Sequence, residues 1–160
     1  ADIVSGRIES RGKFEFTHGR AAARIRMPDA VGVWPAFWLL GNGKWPDTGE
    51  IDIMEQTGQN KGEVLGTVHT RAYNYFNGSL GVAPSARQPL PDACTAFHDY
   101  HLTWSADRIR IGVNGQDYFQ YDNPNNGDTT RWPFNRPFVC TAGSRISRGR
   151  ARGAGPSGAA

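Results

Sequence analysis

Short apolar runs alternate with glycine, proline and Asx turns along this chain, and no segment sustains the 3.6-residue period of an amphipathic helix. Strands are predicted at Ser5–Ser10, Gly12–Thr17 and Ala21–Met27, followed by a turn over Pro28–Gly32. Val33–Leu40 is a dense run, VWPAFWLL, in which Trp34, Ala36 and Trp38 share a face. Pro35 cannot donate to a ladder, so this strand begins near it or bulges there. Gly41–Thr48 reads as a loop carrying Trp45, ahead of a strand over residues 50–55. Glu63–Thr70 is predicted as a strand with His69 near its end, and Asn74–Asp92 as a long loop. Phe97–Ser105, Arg108–Val113 and Gln116–Tyr121 complete the series, the last two joined by Asn114-Gly115, a strong hairpin signal. The pattern is that of an all-β sandwich or barrel.

Residues 141–160 break the pattern: apart from Thr141 and Pro156 they are Gly, Ala, Ser and Arg with a single Ile and no period. A packed strand is not expected there, so residues 1–138 are read as the domain and 139–160 as a disordered tail. Charge supports the division. After Asp128 there are six arginines and no acid, leaving 12 bases against 15 acids in residues 1–128. The overall +3 therefore belongs to the tail. A basic tail can bind nucleic acid or acidic polymers, but this one lacks stacking aromatics, so a solvated end ranks higher and no nucleic-acid partner is expected. No apolar run approaches the roughly 18 residues of a membrane span, and the opening Ala-Asp-Ile-Val is not a leader. Cys94 and Cys140 allow one disulfide or two thiols.

The chemistry concentrates in Gly49–Gly58, GEIDIMEQTG, where Glu50, Asp52 and Glu55 lie within one short strand. Glu50 and Asp52 share a face by alternation, while Glu55 has the wrong parity. One extra residue near Met54, a bulge, would turn Glu55 to the same side. Folding gains nothing from stacking three acids over buried Ile51 and Ile53, so the spacing asks for a chemical reason, the alternative being a wet acidic face.

GEIDIME resembles the signature of family 16 glycoside hydrolases, in the form carried by laminarinase-like endo-β-1,3-glucanases. SGRIES (5–10), GVWPAFWLLG (32–41), GTVHT (66–70), FHDYHLTW (97–104) and DRIRIGVNGQ (107–116) are similar to family segments in the same order. The resemblance implies a jelly-roll β-sandwich of two curved antiparallel sheets, with a glycan cleft on the concave face. It also implies a domain incomplete at both ends, since the family carries further strands, and a tail foreign to it. Ala22 stands where the family often has Glu, which removes a partner of Arg24.

By the same resemblance Glu50 is the nucleophile, Glu55 the proton donor and then base, and Asp52 the residue that orients Glu50. Retaining glycosidases hold their two carboxyl groups about 5–5.5 Å apart. A flat strand would separate the two Cα atoms by about 13 Å, so the side chains must lean together. Three acids this close share protons, which lets Glu55 stay protonated near neutral pH. His69 is expected against the cluster or the sugar. Trp34, Trp38 and Trp45 are candidate sugar platforms or rim residues, and Asn74, Tyr75 and Asn77 a loop along the cleft. Trp104 and Trp132 are assigned to the core. The implied function is endo-hydrolysis of β-1,3-glucan by a secreted monomer that needs no cofactor or catalytic metal, a structural calcium staying open. Mixed-linkage β-1,3-1,4-glucan is the neighbouring substrate, and a β-glucan-binding fragment the alternative of another class.

Overall fold

In a computed structural model of the protein, residues 5–76 and 81–146 are described. They form ten strands: β1 (Arg7–Glu9), β2 (Gly19–Ile25), β3 (Val33–Gly41), β4 (Glu50–Glu55), β5 (Glu63–His69), β6 (Ser85–Pro89), β7 (His98–Trp104), β8 (Arg108–Val113), β9 (Gln116–Asp122) and β10 (Phe138–Ile146). Two antiparallel sheets result, one of six strands in the order β1-β10-β3-β4-β5-β6 and one of four in the order β2-β7-β8-β9. The sandwich expected from the sequence is the one found.

Alternation sets which side chains face inward. Along β3, Phe37 and Leu39 are buried while Trp34, Ala36 and Trp38 point to the opposite, partly open face. Ile109 and Ile111 of β8 are buried and alternate with exposed Arg108 and Arg110. Phe37, Leu39, Ile51 and Met54 of the large sheet meet Leu102, Trp104, Ile109 and Ile111 of the small one in a single core. Full burial of each such side chain stabilises the fold by about 1.5–3 kcal/mol. Trp104 and Trp132 both belong to this core. Asn114 (φ 52°) and Gly115 (φ 82°) make the β8–β9 turn in the left-handed region, as the Asn-Gly signal required.

Several expectations need correction or completion. Residues 12–17 are no strand: Ser10 O accepts from Lys13 N and Phe14 N in a turn, and only Phe16 bridges to Phe138. The 74–92 stretch contains β6, which pairs with β5 at the sheet edge, where Pro89 is tolerated. The tail boundary at 138 does not hold, because β10 runs to Ile146 between β1 and β3. Its small residues are what that place demands: a Cβ on Gly143 would stand 2.6 Å from Gly6 O and 3.0 Å from Arg7 Cα. Val139 and Thr141 are buried. The rest of the expected tail, residues 147–160, lies outside the described residues. Pro35 sits two residues into β3, beyond the β4 pairing that starts at Ala36, and its carbonyl accepts from Gln56 N. Cys94 and Cys140 are free thiols, and Arg24 pairs instead with exposed Asp99.

Candidate active site

β4 lies between β3 and β5, deep in the six-stranded sheet. Its register carries the bulge that the parity of Glu55 called for: Trp38 opposes Asp52, but Phe37 opposes Met54, so Ile53 is extra. Ile53 and Met54 are consecutive and both buried. Ala36 then opposes Glu55, and Leu40 opposes Glu50, which brings all three acids to the face of Trp34 and Trp38. The start of the strand is fixed by Gly49 (φ 81°), where a Cβ would lie 2.8 Å from Pro133 and 2.9 Å from the Phe134 ring. Only glycine delivers the chain to Glu50 there.

Each outer carboxylate accepts an indole N–H. Trp45 Nε1 donates to Glu50 Oε2 at 2.6 Å, and Trp34 Nε1 to Glu55 Oε1 at 2.9 Å. Asp52 between them is 2% exposed and shares a hydrogen bond with Glu50. His69, on the neighbouring β5, places Nε2 3.3 Å from Asp52 Oδ2.

Burial pushes Glu50 up to about 8, and the nearby Asp52 adds to the effect, against His69 and the Trp45 indole. Burial, then Glu55, holds Asp52 well above the usual carboxylate range. Glu50 and Asp52 thus keep one proton between them at neutral pH. His69 is driven down by burial, which outweighs the pull of Glu50 and Glu55, so the imidazole is neutral. Glu50, Asp52 and His69 are the group whose donor atoms, within 4.8 Å of one another, could surround a metal ion among the described residues. The Trp45 indole occupies Glu50 Oε2, while Asp52 Oδ2 is buried with His69 Nε2 3.3 Å away as its near neighbour and no hydrogen bond of its own among the described residues.

The remaining candidates divide. Trp34 and Trp38 are half-buried on the acid face, with the Arg7 guanidinium 5.0 Å from the Trp38 ring centre. Trp45 lines the acids from the preceding loop. Asn74 is corrected: it is 3% exposed, and its amide bonds Thr70 O, Arg71 O and Phe76 N, so it shapes a loop and offers the cleft nothing. Tyr75 lies on His69, ring centres 4.6 Å apart, and Phe76 meets Trp45 edge-on. Asn77 lies outside the described residues. Sequence reasoning missed Arg87, which with Trp34, Glu55, Asn60, Glu63 and Leu65 lines a small open pocket of about 30 Å³ beside Glu55. The alternation in β6 that would have revealed it rests on Ala86 alone as an apolar residue.

The family model for glycosyl hydrolases family 16 matches residues 2–152. This chain belongs to glycosyl hydrolase family 16. The family match extends past residue 138 and includes all of β10. Within the family the chain is 40% identical over 147 residues to the β-glucanase of Rhodothermus marinus, covering 86% of this chain and 50% of that protein. The structure is similar to SCLam, a non-specific endo-β-1,3(4)-glucanase (TM-score 0.85, 34% identity, 89% of this chain and 52% of that one). A variant of SCLam presents 1,3-β-D-cellobiosyl-glucose at its active site. The laminarinase of Rhodothermus marinus aligns with a TM-score of 0.81 at 37% identity, over 88% of this chain and 59% of that one. The chain thus spans about half the length of these family 16 relatives.

Proposed function

We propose that the chain is the acid-bearing part of a retaining endo-β-glucan hydrolase acting on β-1,3 linkages. The observation that carries this reading is the bulge at Ile53, which brings Glu50 and Glu55 to one face with buried Asp52 between them. Glu50 and Asp52 share a proton in the resting site, and the Trp45 N–H favours the form in which Glu50 carries the charge. Glu50 is assigned as the nucleophile in that ionised form, with Glu55 as its partner on the same face. Its carboxylate oxygen bonds the anomeric carbon while Glu55 gives its proton to the departing glycosidic oxygen. In the second half Glu55, now ionised, takes a proton from water. The water oxygen attacks the same carbon and Glu50 leaves as carboxylate.

Trp34 and Trp38 offer flat apolar faces beside the acids, suited to pyranose rings. The names of the relatives favour β-1,3-glucan, with mixed-linkage β-1,3-1,4-glucan as the nearest second substrate. Polymers of this size meet an enzyme outside the cell, so secretion is part of the proposal, as is action as a monomer. The test is reducing-sugar release from laminarin and from mixed-linkage barley glucan by the chain and its Glu50→Gln variant. Hydrolysis abolished by the substitution, by at least 10³-fold, is expected. Glucan binding by the folded chain with no release of sugar would replace hydrolysis by a binding role. No step needs a metal, so hydrolysis is expected to persist in excess EDTA. A loss that added calcium restores would assign a structural ion.

A further inference from the structure

Phe76 is 82% exposed, yet its ring is not idle. It meets Trp45 edge-to-face, centres 5.7 Å apart and planes at 88°, the arrangement in which a ring edge is attracted to a ring face. Trp45 is the indole that donates to Glu50 at 2.6 Å. Its other described ring neighbour, His69, is more distant, at 6.1 Å.

An exposed side chain holds a neighbour only if its own backbone is held. Here Asn74 does the holding. Buried at 3% exposure, it donates from Nδ2 to Thr70 O (3.0 Å) and Arg71 O (3.3 Å) and accepts the Phe76 N–H at Oδ1 (2.9 Å). The intervening residue, Tyr75, lies against His69 with ring centres 4.6 Å apart. Two consecutive residues thus brace the two side chains, Trp45 and His69, that contact Glu50 and Asp52.

We propose that Phe76 is a positioning residue for Glu50: fastened by Asn74, it fixes the Trp45 indole so that its N–H points at the Glu50 carboxylate. The proposal deepens the reading of Glu50 as nucleophile and rests on it for its catalytic meaning. A hydrogen bond to the ionised form favours that form. Loosening the indole therefore raises the proton affinity of Glu50 and weakens it as a carboxylate nucleophile. The other titratable groups facing Glu50 are Asp52 on its own strand, His69 from β5 and Tyr75 from the loop. β3 opposes it with uncharged Leu40.

The test uses the full chain and the variants Phe76→Ala, Phe76→Tyr and Asn74→Ala, with the Trp45 indole N–H followed by NMR across pH and assigned through Trp45→Phe. In Phe76→Ala the titration midpoint seen by the indole is expected to rise by about half a pH unit and its hydrogen exchange to quicken about tenfold. Asn74→Ala is expected to move both the same way, and Phe76→Tyr to restore them. Unchanged midpoint and exchange in Phe76→Ala overturn the proposal. With laminarin, kcat is expected to fall about tenfold at near-constant KM, with the acid limb of the kcat/KM profile displaced upward. A raised KM with unchanged kcat and pH profile also overturns it, since Phe76 would then be a sugar platform. If the parent chain hydrolyses no glucan, the hydrolase reading fails by itself, and the indole titration still decides whether Phe76 positions Trp45.

Discussion

At the scale of single residues, the acid cluster stores a cost that pH reveals. Glu50 binds its proton more tightly in the folded chain (about 8) than unfolded, where its ordinary value is 4.5. The folded state therefore holds the extra proton. The resulting stability is fully present below about pH 4.5 and is lost as pH rises through 8. Thermal melts of the parent chain are expected to fall over that window, while Glu50→Gln should fall less, since Asp52 is then the one raised carboxyl left in the cluster. The variant is expected to melt higher at pH 8.5, each kcal/mol of relief being worth roughly 2–4 °C. A parallel decline in both proteins would place the pH sensitivity elsewhere. Asp52 and His69 explain why residue type alone could not assign these roles. Three acids in GEIDIME are legible as a cluster, but which carboxyl keeps a proton depends on burial and on two indoles from other segments.

At the scale of elements, one inserted residue decides the site. Ile53 is the extra member of β4 against β3, and the same six residues paired without a bulge would turn Glu55 toward the core. Inserting an alanine between Ile53 and Met54 flips the parity of Glu55 and is expected to abolish hydrolysis, whereas deleting Ile53 leaves Glu-Ile-Asp-Met-Glu in strict alternation with all three acids on one face. The insertion should also destabilise the chain by several kcal/mol, because a carboxylate would enter the apolar layer beside Met54 or the strand would slip register. Activity and a denaturant titration check both effects, and an insertion variant of normal activity would sink the account of the bulge. This element was readable in advance because parity is strict in a strand: Glu50 and Asp52 agree and Glu55 does not. β6 and β10 were not readable, for physical reasons. Ser85–Pro89 is an edge strand whose outward residues stay wet, so little apolar alternation is selected. In Phe138–Ile146 close packing of β1 requires small residues, and their composition imitates a disordered tail. The aromatic side chains around the acids were visible individually, but the contacts of Tyr75 and Phe76 with His69 and Trp45 depend on loop geometry fixed by Asn74.

At the scale of the whole molecule, the six-stranded sheet is closed up by β10, which joins β1 to β3. Ending the chain after Pro137 would remove that strand and leave β3 with an unpaired edge and Phe37 and Leu39 less covered. Such a chain is expected to lose its cooperative melt and its hydrolysis together, a result that circular dichroism and the laminarin assay would show. A sharp transition in the shortened chain would mean that the sheet stands without β10. The position of β10 also orders events during synthesis. Strands β3, β4, β5 and β6 pair with near neighbours in sequence and can assemble as they emerge, as can β7, β8 and β9. β1 has no such partner: its register is with residues 141–143, made more than a hundred residues later. Until then the nascent chain presents open strand edges at β1 and β3 to whatever surrounds the ribosome, and β10 must thread between them. Slow closure of this gap, rather than formation of the acid strand, would set both the folding rate and the window in which the chain is open to aggregation or to a chaperone.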